Sequence, residues 1–281
     1  MSERLSPAAA VRKRLPFLNP KPVVTALELS GVVDASTRGR GLSLSRVEDA
    51  LDAAFRPSKL AAVALLINSP GGSPVQSNLL LREIRRRAAK KKAPVIAFIQ
   101  DVGASGGYML ALAADEIYAD ASSIVGSIGV ISAGFGFHEA IDRLGVERRV
   151  RTAGESKSQL DPFRPQNEED LKRLDAILTD IHATFIETVR ERRGDKLNAA
   201  YDDVFTGAFW TAAPAEARGL IDGIAHLDEF MRQRFGDRVK IKRVTVRPSI
   251  LRQAFGGRVA FDAGDAVATL AERSLWARYG L

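Results

Sequence analysis

The chain of 281 residues contains no cysteine and only three histidines. The absence of cysteine excludes disulfide bonds, thiol catalysis and thiolate metal sites. No run of about 18 apolar residues occurs, and no signal peptide is visible at the start. These absences predict a cytoplasmic protein without a membrane-spanning helix. With so few histidines, a hydrolytic site has few candidates for its base.

The composition is that of an ordinary globular protein, with 46% hydrophobic and 27% charged residues. The net charge of +7 is a modest excess and identifies no partner. The basic run RRRAAKKK (85–92) has no interleaved aromatic residues, so it is interpreted as a solvated helix end and no nucleic-acid partner is expected. No phosphate-binding loop and no cluster of metal ligands is recognised, so no cofactor and no metal are predicted.

Apolar runs alternate with amphipathic segments, which predicts one α/β domain with a mostly parallel sheet. We expect this domain over residues 23–236, after a basic N-terminal arm (1–22) and before a C-terminal tail (237–281). The tail carries Trp276 and Tyr279 beside arginines, and two interpretations stay open. It packs against a neighbouring subunit, or it lies on a membrane surface.

Capping patterns mark where two helices begin, and an apolar stripe marks a third helix. Ser45 and Glu48 have the spacing of a capping box, and so do Ser73 and Gln76. A long amphipathic helix is predicted from Asn167 to Arg193. Its apolar stripe consists of Leu171, Leu174, Ile177, Leu178, Ile181, Phe185 and Val189.

The stretch GASGG (103–107) places Ser105 between a buried strand and a helix. This pattern is typical of a nucleophile elbow, where the serine stands at a sharp strand-to-helix turn. The free N–H groups of a helix start also favour developing negative charge. The same pattern is found in serines that only cap a tightly packed helix, so the motif alone leaves both interpretations open.

A second glycine turn, NSPGGS (68–73), also follows a buried strand. The carboxyl ends of neighbouring parallel strands meet at one edge of a sheet, so the two turns are expected side by side. The backbone N–H groups of Gly72 and Gly106 would then form an oxyanion hole.

Two kinds of base are considered for Ser105. His138, His182 and His226 are each interpreted as surface or packing residues, although Ser105 with Asp202 or Asp203 and His226 would suit an esterase of the α/β-hydrolase type. The other candidate is Lys157, in GESKS (154–158). A lysine acts as a base only when desolvation lowers its pKa from about 10.4 toward neutrality.

Four motifs in order, NSPGG, GASGGY, VGSIGVI and GESKS, resemble those of the signal peptide peptidase A and SohB-type serine peptidases of the Clp/crotonase-like superfamily. Lys157 follows Ser105 by 157 − 105 = 52 positions and Ser127 follows it by 127 − 105 = 22, and both intervals match that family. The resemblance covers about residues 23–230. Position 130, where Clp-type enzymes carry their histidine, is Val130 here.

The resemblance implies a repeated β-β-α superhelix and a Ser–Lys dyad. Ser105 would be the nucleophile, Lys157 the base and Ser127 the group that orients the lysine, with the N–H groups of Gly72 and Gly106 as the oxyanion hole. It further implies a ring-like homo-oligomer that needs neither ATP nor metal. Its substrates would be short or unfolded peptides, including signal-peptide remnants. Apolar pockets would bind small or hydrophobic side chains of these substrates. Many members carry a membrane anchor that this sequence lacks, so the expectation is a cytoplasmic peptidase whose contact with the inner membrane face is at most peripheral. The third alternative is a crotonase-like scaffold that binds peptides without hydrolysis.

Overall fold

The computed structural model describes residues 21–35, 41–246 and 273–281. In these ranges strands alternate with helices, as the sequence predicts. The strands are β1 (Val23–Ser30), β2 (Leu60–Ser69), β3 (Val95–Ala104), β4 (Glu116–Ala119), β5 (Ile124–Gly126), β6 (Phe209–Trp210), β7 (Gly223–Ile224) and β8 (Lys240–Val244). The helices are α1 (Leu44–Phe55), α2 (Pro74–Lys91), α3 (Gly106–Ala111), α4 (His138–Arg143), α5 (Glu168–Arg193), α6 (Ala212–Ala217) and α7 (Leu227–Phe235).

The strands form one eight-stranded sheet with the order β6-β5-β3-β2-β1-β8, and β4 and β7 branch from β3. All pairs are parallel except β5 with β6. The predicted α/β class with a mostly parallel sheet is therefore confirmed.

Both faces of the central strands are buried, because β1, β2 and β3 are apolar almost throughout. Side chains of α1, α2 and α3 pack on one face and form the larger core. Helix α7 covers the other face, where Phe98, Tyr118 and Phe230 stack against one another. The three longest strands are thus fixed between two apolar layers, and their carboxyl ends form a rigid edge.

The predicted caps are confirmed in part. Ser73 caps α2 and accepts a hydrogen bond from the amide of Gln76. The prediction for α1 is wrong: its cap is Ser43 rather than Ser45. The side chain of Gln76 does not return to Ser73 either; its Oε1 accepts from the amide of Leu44 at 3.0 Å. Gln76 therefore joins the start of α1 to the start of α2, and this tertiary contact replaces the local capping box.

Helix α5 packs into the core near its C-terminal end. Arg192 donates to the carbonyls of Leu112 and Ala114 at the end of α3. The predicted apolar stripe packs in the core only near this end, where Phe185 and Val189 are buried, whereas Ile177 is 49% exposed. From residue 129 to residue 184 no side chain is fully buried. This long stretch is therefore held to the domain by few contacts of its own.

The first residues of the predicted C-terminal tail belong to the sheet. Strand β8 pairs in parallel with β1, with Val23 opposite Lys240 and Leu27 opposite Val244. Near the end of the chain, Tyr279 packs edge-on against Phe209 with ring centroids 5.1 Å apart. The rest of the predicted tail (247–272) and most of the predicted arm (1–20) lie outside the described residues. Within the described residues, no helix is both long and apolar enough to cross a membrane.

Candidate active site

Ser105 stands at a strained turn between β3 and α3. Its φ of 53° and ψ of −123° lie in a region that residues other than glycine seldom adopt. Its amide donates to the carbonyl of Gly126 at 2.8 Å, so the turn is tied to the neighbouring strand β5. A half-buried serine held in this way has the geometry that a nucleophile elbow requires.

The two glycine turns lie side by side, as the sequence predicts. A β-carbon on Gly106 would lie 3.3 Å from the amide nitrogen of Gly72. A β-carbon on Gly71 would lie 2.8 Å from that of Ser105. Only glycine permits this approach, because any side chain at Gly71 or Gly106 would collide with the other turn.

The direction of the Gly72 amide follows from its neighbours. The carbonyl of Gly71 accepts from Val33 at 2.8 Å, and the amide of Ser73 donates to Val33 at 2.7 Å. In a parallel bridge the residue between two such partners turns its own polar groups the other way. The N–H of Gly72 therefore points away from Val33, and the N–H of Gly106 is free of the helix ladder as the first residue of α3. Both groups are suited to the predicted role as oxyanion donors.

A cavity of about 270 Å³ opens beside Ser105. Its wall is mostly apolar, and the hydroxyls of Thr184 and Thr188 donate to carbonyls of their own helix. The lining residues come from α2, α3, α5 and the chain after β5: Gly72, Pro74, Val75, Asn78, Ser105, Gly106, Met109, Gly129, Val130, Ile131, Ile181, Thr184, Phe185 and Thr188. This active-site cavity is suited to an apolar side chain of a bound peptide.

Ser127 lies close to the turn that carries Ser105. Strand β5 pairs with the end of β3, with Gly126 opposite Ala104, and Ser127 directly follows β5. The residue has a φ of 54°, and its amide donates to Ala208 at 2.7 Å. A left-handed serine next to the strand that holds the Ser105 turn is consistent with a functional constraint.

Lys157 lies apart from these residues in the single chain. It belongs to an irregular turn, its amide donates to the carbonyl of Gly154 at 3.2 Å, and its side chain is exposed. It is not among the residues that line the cavity at Ser105. The structure thus brings Gly72, Ser105, Gly106 and Ser127 together, whereas the role of Lys157 stays a prediction.

The alternative histidine triad is not assembled. His226 is 66% exposed and lies 3.6 Å from Asp120, at a separate cavity of about 350 Å³ that Ser105 does not line. The carboxylate of Asp203 is engaged by Arg218. The geometry therefore does not support the esterase interpretation, because His226 and Ser105 line different cavities.

The other two histidines differ from each other. His138 begins the short helix α4 and is half-exposed. His182 contacts the chain next to Ser127, with Nε2 3.1 Å from the carbonyl oxygen of Ile128. No sequence pattern predicts this contact, since the two residues are 54 positions apart.

Tyr108 lies one turn beyond Ser105, and it keeps its phenolic proton at neutral pH, so it cannot act as a base for Ser105. It is fully buried, and its hydroxyl donates to the carbonyl of Leu220 at 2.7 Å. Burial raises the pKa of Tyr108 far above its usual range. Its role is to hold α3 against the end of α6.

Two ion pairs on Asp222 join the end of α5 to the start of β7. Arg193 is 4% exposed and donates to both carboxylate oxygens of Asp222, and Lys196 lies 2.7 Å from the same carboxylate. Burial raises the pKa of Asp222, but hydrogen bonds from Arg193 and Lys196 outweigh it and leave that pKa below its usual range. Within the described ranges, no three acidic or imidazole side chains are grouped closely enough to hold a metal ion.

Comparison with known proteins identifies the family. The model described as Peptidase family S49 matches residues 87–240, which is more than half of the chain. The chain is 48% identical over 252 residues to a Brucella melitensis protein named Na(+)/H(+) antiporter NhaA, a match that covers 85% of this chain and 34% of that protein. It is 31% identical over 196 residues to the chloroplastic serine protease SPPA of Arabidopsis thaliana, covering 68% of this chain and 28% of the relative. The chain thus spans about a third of the length of these relatives.

Solved structures show the same fold. Two variants of the 1510-N membrane-bound stomatin-specific protease align with a TM-score of 0.50 and 15% identity. A serine-to-alanine variant covers 82% of this chain and 100% of that chain. A lysine-to-alanine variant, in complex with a substrate peptide, covers 83% of this chain and 96% of that chain. The likeness confirms the Clp/crotonase-like α/β fold, and together with the sequence match it shows that this chain belongs to peptidase family S49.

Proposed function

We propose that the protein is a serine peptidase that hydrolyses short or unfolded peptides with Ser105 as nucleophile and Lys157 as base. The observation that carries the proposal is the strained Ser105 turn, flanked by the amides of Gly72 and Gly106 at the mouth of an apolar cavity. Membership of peptidase family S49 supports it. The serine-to-alanine and lysine-to-alanine variants of the stomatin-specific protease agree with a dyad of these two residue types.

The chemistry follows from the groups at the site. The Oγ of Ser105 attacks the scissile carbonyl while the neutral amine of Lys157 takes its proton. The N–H groups of Gly72 and Gly106 bind the oxyanion. The protonated lysine then gives its proton to the leaving amine. Water, activated by the same amine, releases the acyl group from Ser105, and Ser127 orients the lysine in both steps.

The exposure of Lys157 in the single chain supports an assembly. A lysine base must be shielded from water, yet no side chain between residues 129 and 184 is fully buried. Several large apolar side chains of this stretch face solvent: Ile131, Phe135, Phe137, Leu144, Val146 and Leu160. An exposed apolar surface of this kind is typical of a protein–protein interface. We propose that a ring-like homo-oligomer covers this apolar surface and brings a Lys157 side chain close to each Ser105.

The substrate class follows from the cavity and the relatives. A cavity of about 270 Å³ with apolar walls accommodates one hydrophobic side chain beside the cut. Remnants of signal peptides are rich in such side chains, and they are the proposed natural substrates. One relative is called membrane-bound and another is named as an antiporter, which supports a place of action at the membrane surface.

Cleavage of a mixed peptide library tests the proposal, with wild type compared to Ser105→Ala and Lys157→Ala. Both variants should lose activity. Lys172→Ala, an exposed lysine on α5, is the matched control and should cleave like wild type. Activity that survives Lys157→Ala would exclude the dyad. A folded wild type that neither cleaves peptides nor reacts with a serine-directed acylating probe would favour a binding scaffold.

A further inference from the structure

One polar contact joins the long helix α5 to the active site, and the dyad does not use it. The Nε2 atom of His182 lies 3.1 Å from the carbonyl oxygen of Ile128. A carbonyl oxygen can only accept, so the ring donates its Nε2–H to Ile128. Within the described part of the chain, no other side chain of α5 hydrogen-bonds residues 124–131.

Ile128 lies in the middle of a segment that serves the active site on both sides. Before it come Gly126, whose carbonyl accepts from the amide of Ser105, and Ser127. After it come residues 129–131, which line the active-site cavity. A shift of the Ile128 carbonyl would therefore move both Ser127 and the cavity wall.

Within this segment, residues 126–131, the side chain of Ile128 is fully buried in the core, whereas residues 129–131 are not fully buried. Ser127 has a φ of 54°, a conformation that persists only where the surroundings enforce it. The amide of Ser127 is fixed by Ala208 at 2.7 Å, on the side toward β6. Beyond Ile128 no side chain is fully buried until Phe185, so packing does not hold the chain there. The bond from His182 supplies the restraint on that side.

We infer that His182 is a positioning residue that holds Ser127 and residues 129–131 in register with Ser105 through its bond to the Ile128 carbonyl. The inference rests on the proposed function. His182 is not the base, because its Nε2 proton is engaged at the carbonyl and the ring does not line the cavity. Its place on α5, next to Ile181, also couples the helix wall of the cavity to the segment.

Three substitutions at this position test the inference. His182→Phe keeps a ring of similar size and removes the donor. His182→Gln places an amide N–H near the position of Nε2, whereas His182→Asn is too short to reach it. Thr179→Val removes a side-chain hydrogen bond on the same helix without touching the segment, and it serves as control.

Steady-state cleavage of a peptide that wild type hydrolyses is measured together with the thermal midpoint of each variant. We expect His182→Phe and His182→Asn to lower kcat about tenfold or more, since a displacement of about 1 Å can cost 100-fold. KM should change by less than about threefold, because the rest of the cavity stays in place. His182→Gln should recover most of kcat, and Thr179→Val should match wild type.

Each other result overturns the inference. Wild-type kcat in His182→Phe would show that the bond positions nothing that catalysis needs. Equal losses in His182→Phe and His182→Gln, with or without a lowered thermal midpoint, would mean that the ring matters for packing rather than for its donor. A wild type that cleaves no peptide refutes the proposed function instead, so the two failures are distinguishable.

Discussion

The amide nitrogen of Gly72 lies 3.3 Å from the place that a β-carbon on Gly106 would occupy. The glycine turns that follow the buried parallel strands β2 and β3 are therefore in direct backbone contact. Because each turn presents an N–H and neither presents a side chain, a carbonyl oxygen of a substrate can approach both at once. The site thus depends on the absence of side chains as much as on the hydroxyl of Ser105.

Gly106→Ala should abolish most of the activity. The new methyl group would lie 2.4 Å from Oγ of Ser77 and 3.3 Å from the Gly72 amide, so one of the two turns must move. Loss of one oxyanion donor typically lowers kcat about 100-fold or more. Lys172→Ala, at an exposed position of α5, is the control and should cleave at the wild-type rate. Equal kcat in the two variants would argue against these amides as the oxyanion hole.

Phe135→Asp should dissociate the assembly and reduce activity with it. The side chain is 81% exposed in the single chain, so a charge there costs little in the monomer but much in an apolar interface. Sedimentation velocity and peptide cleavage are measured on the same samples, with circular dichroism to confirm folding. Gln233→Asp, an equivalent charge change on the exposed side of α7, should alter neither. A wild type that is monomeric and fully active would contradict the proposed ring.

Asp222→Asn should destabilise the fold at neutral pH by about 3 kcal/mol, because it leaves the buried guanidinium of Arg193 without its counter-charge. The folded pKa of Asp222 is lowered, so its contribution to stability is present above the unfolded value and is lost as pH falls through the folded one. The difference between wild type and variant should therefore shrink below about pH 4. Urea unfolding at a series of pH values measures it. A difference that stays constant down to pH 2 would show that this carboxylate is not the titrating group.

Tyr108→Phe should lower the free energy of unfolding by about 1 kcal/mol and leave kcat within about twofold of wild type. The lost hydroxyl donates to the buried carbonyl of Leu220, so the cost is one hydrogen bond in the core and no reacting group is removed. Chemical denaturation and peptide cleavage report the two effects separately. A large drop in kcat without a loss of stability would assign Tyr108 a role in the chemistry.

The sheet could be predicted because its signal is local. Three apolar runs of the sequence form β1, β2 and β3, and Ser73 caps α2 as expected. The meeting of NSPGGS and GASGG also follows from sequence, since both turns end neighbouring parallel strands. These features require only periodicity and the geometry of a parallel sheet.

Features that depend on long-range contacts could not be predicted. Gln76 has the spacing of a capping box, but the start of α1 offers its side chain a competing amide at Leu44. His182 looks like any packing residue of an amphipathic helix until the carbonyl of Ile128 is placed beside it. The position of Lys157 relative to Ser105 depends on which surface packs against residues 129–184, where no side chain is fully buried. Neither hydrophobic periodicity nor motif spacing predicts that packing.

The pairing of β8 with β1 has a practical consequence for anyone who shortens this protein. A chain ended at residue 236, where the motifs stop, would strip β1 of the neighbour that occupies its outer edge. The exposed edge of β1 would then present unpaired backbone N–H and C=O groups. Strands of other chains can pair with such an edge, which leads to aggregation. Expression of the catalytic unit should therefore retain at least residue 246.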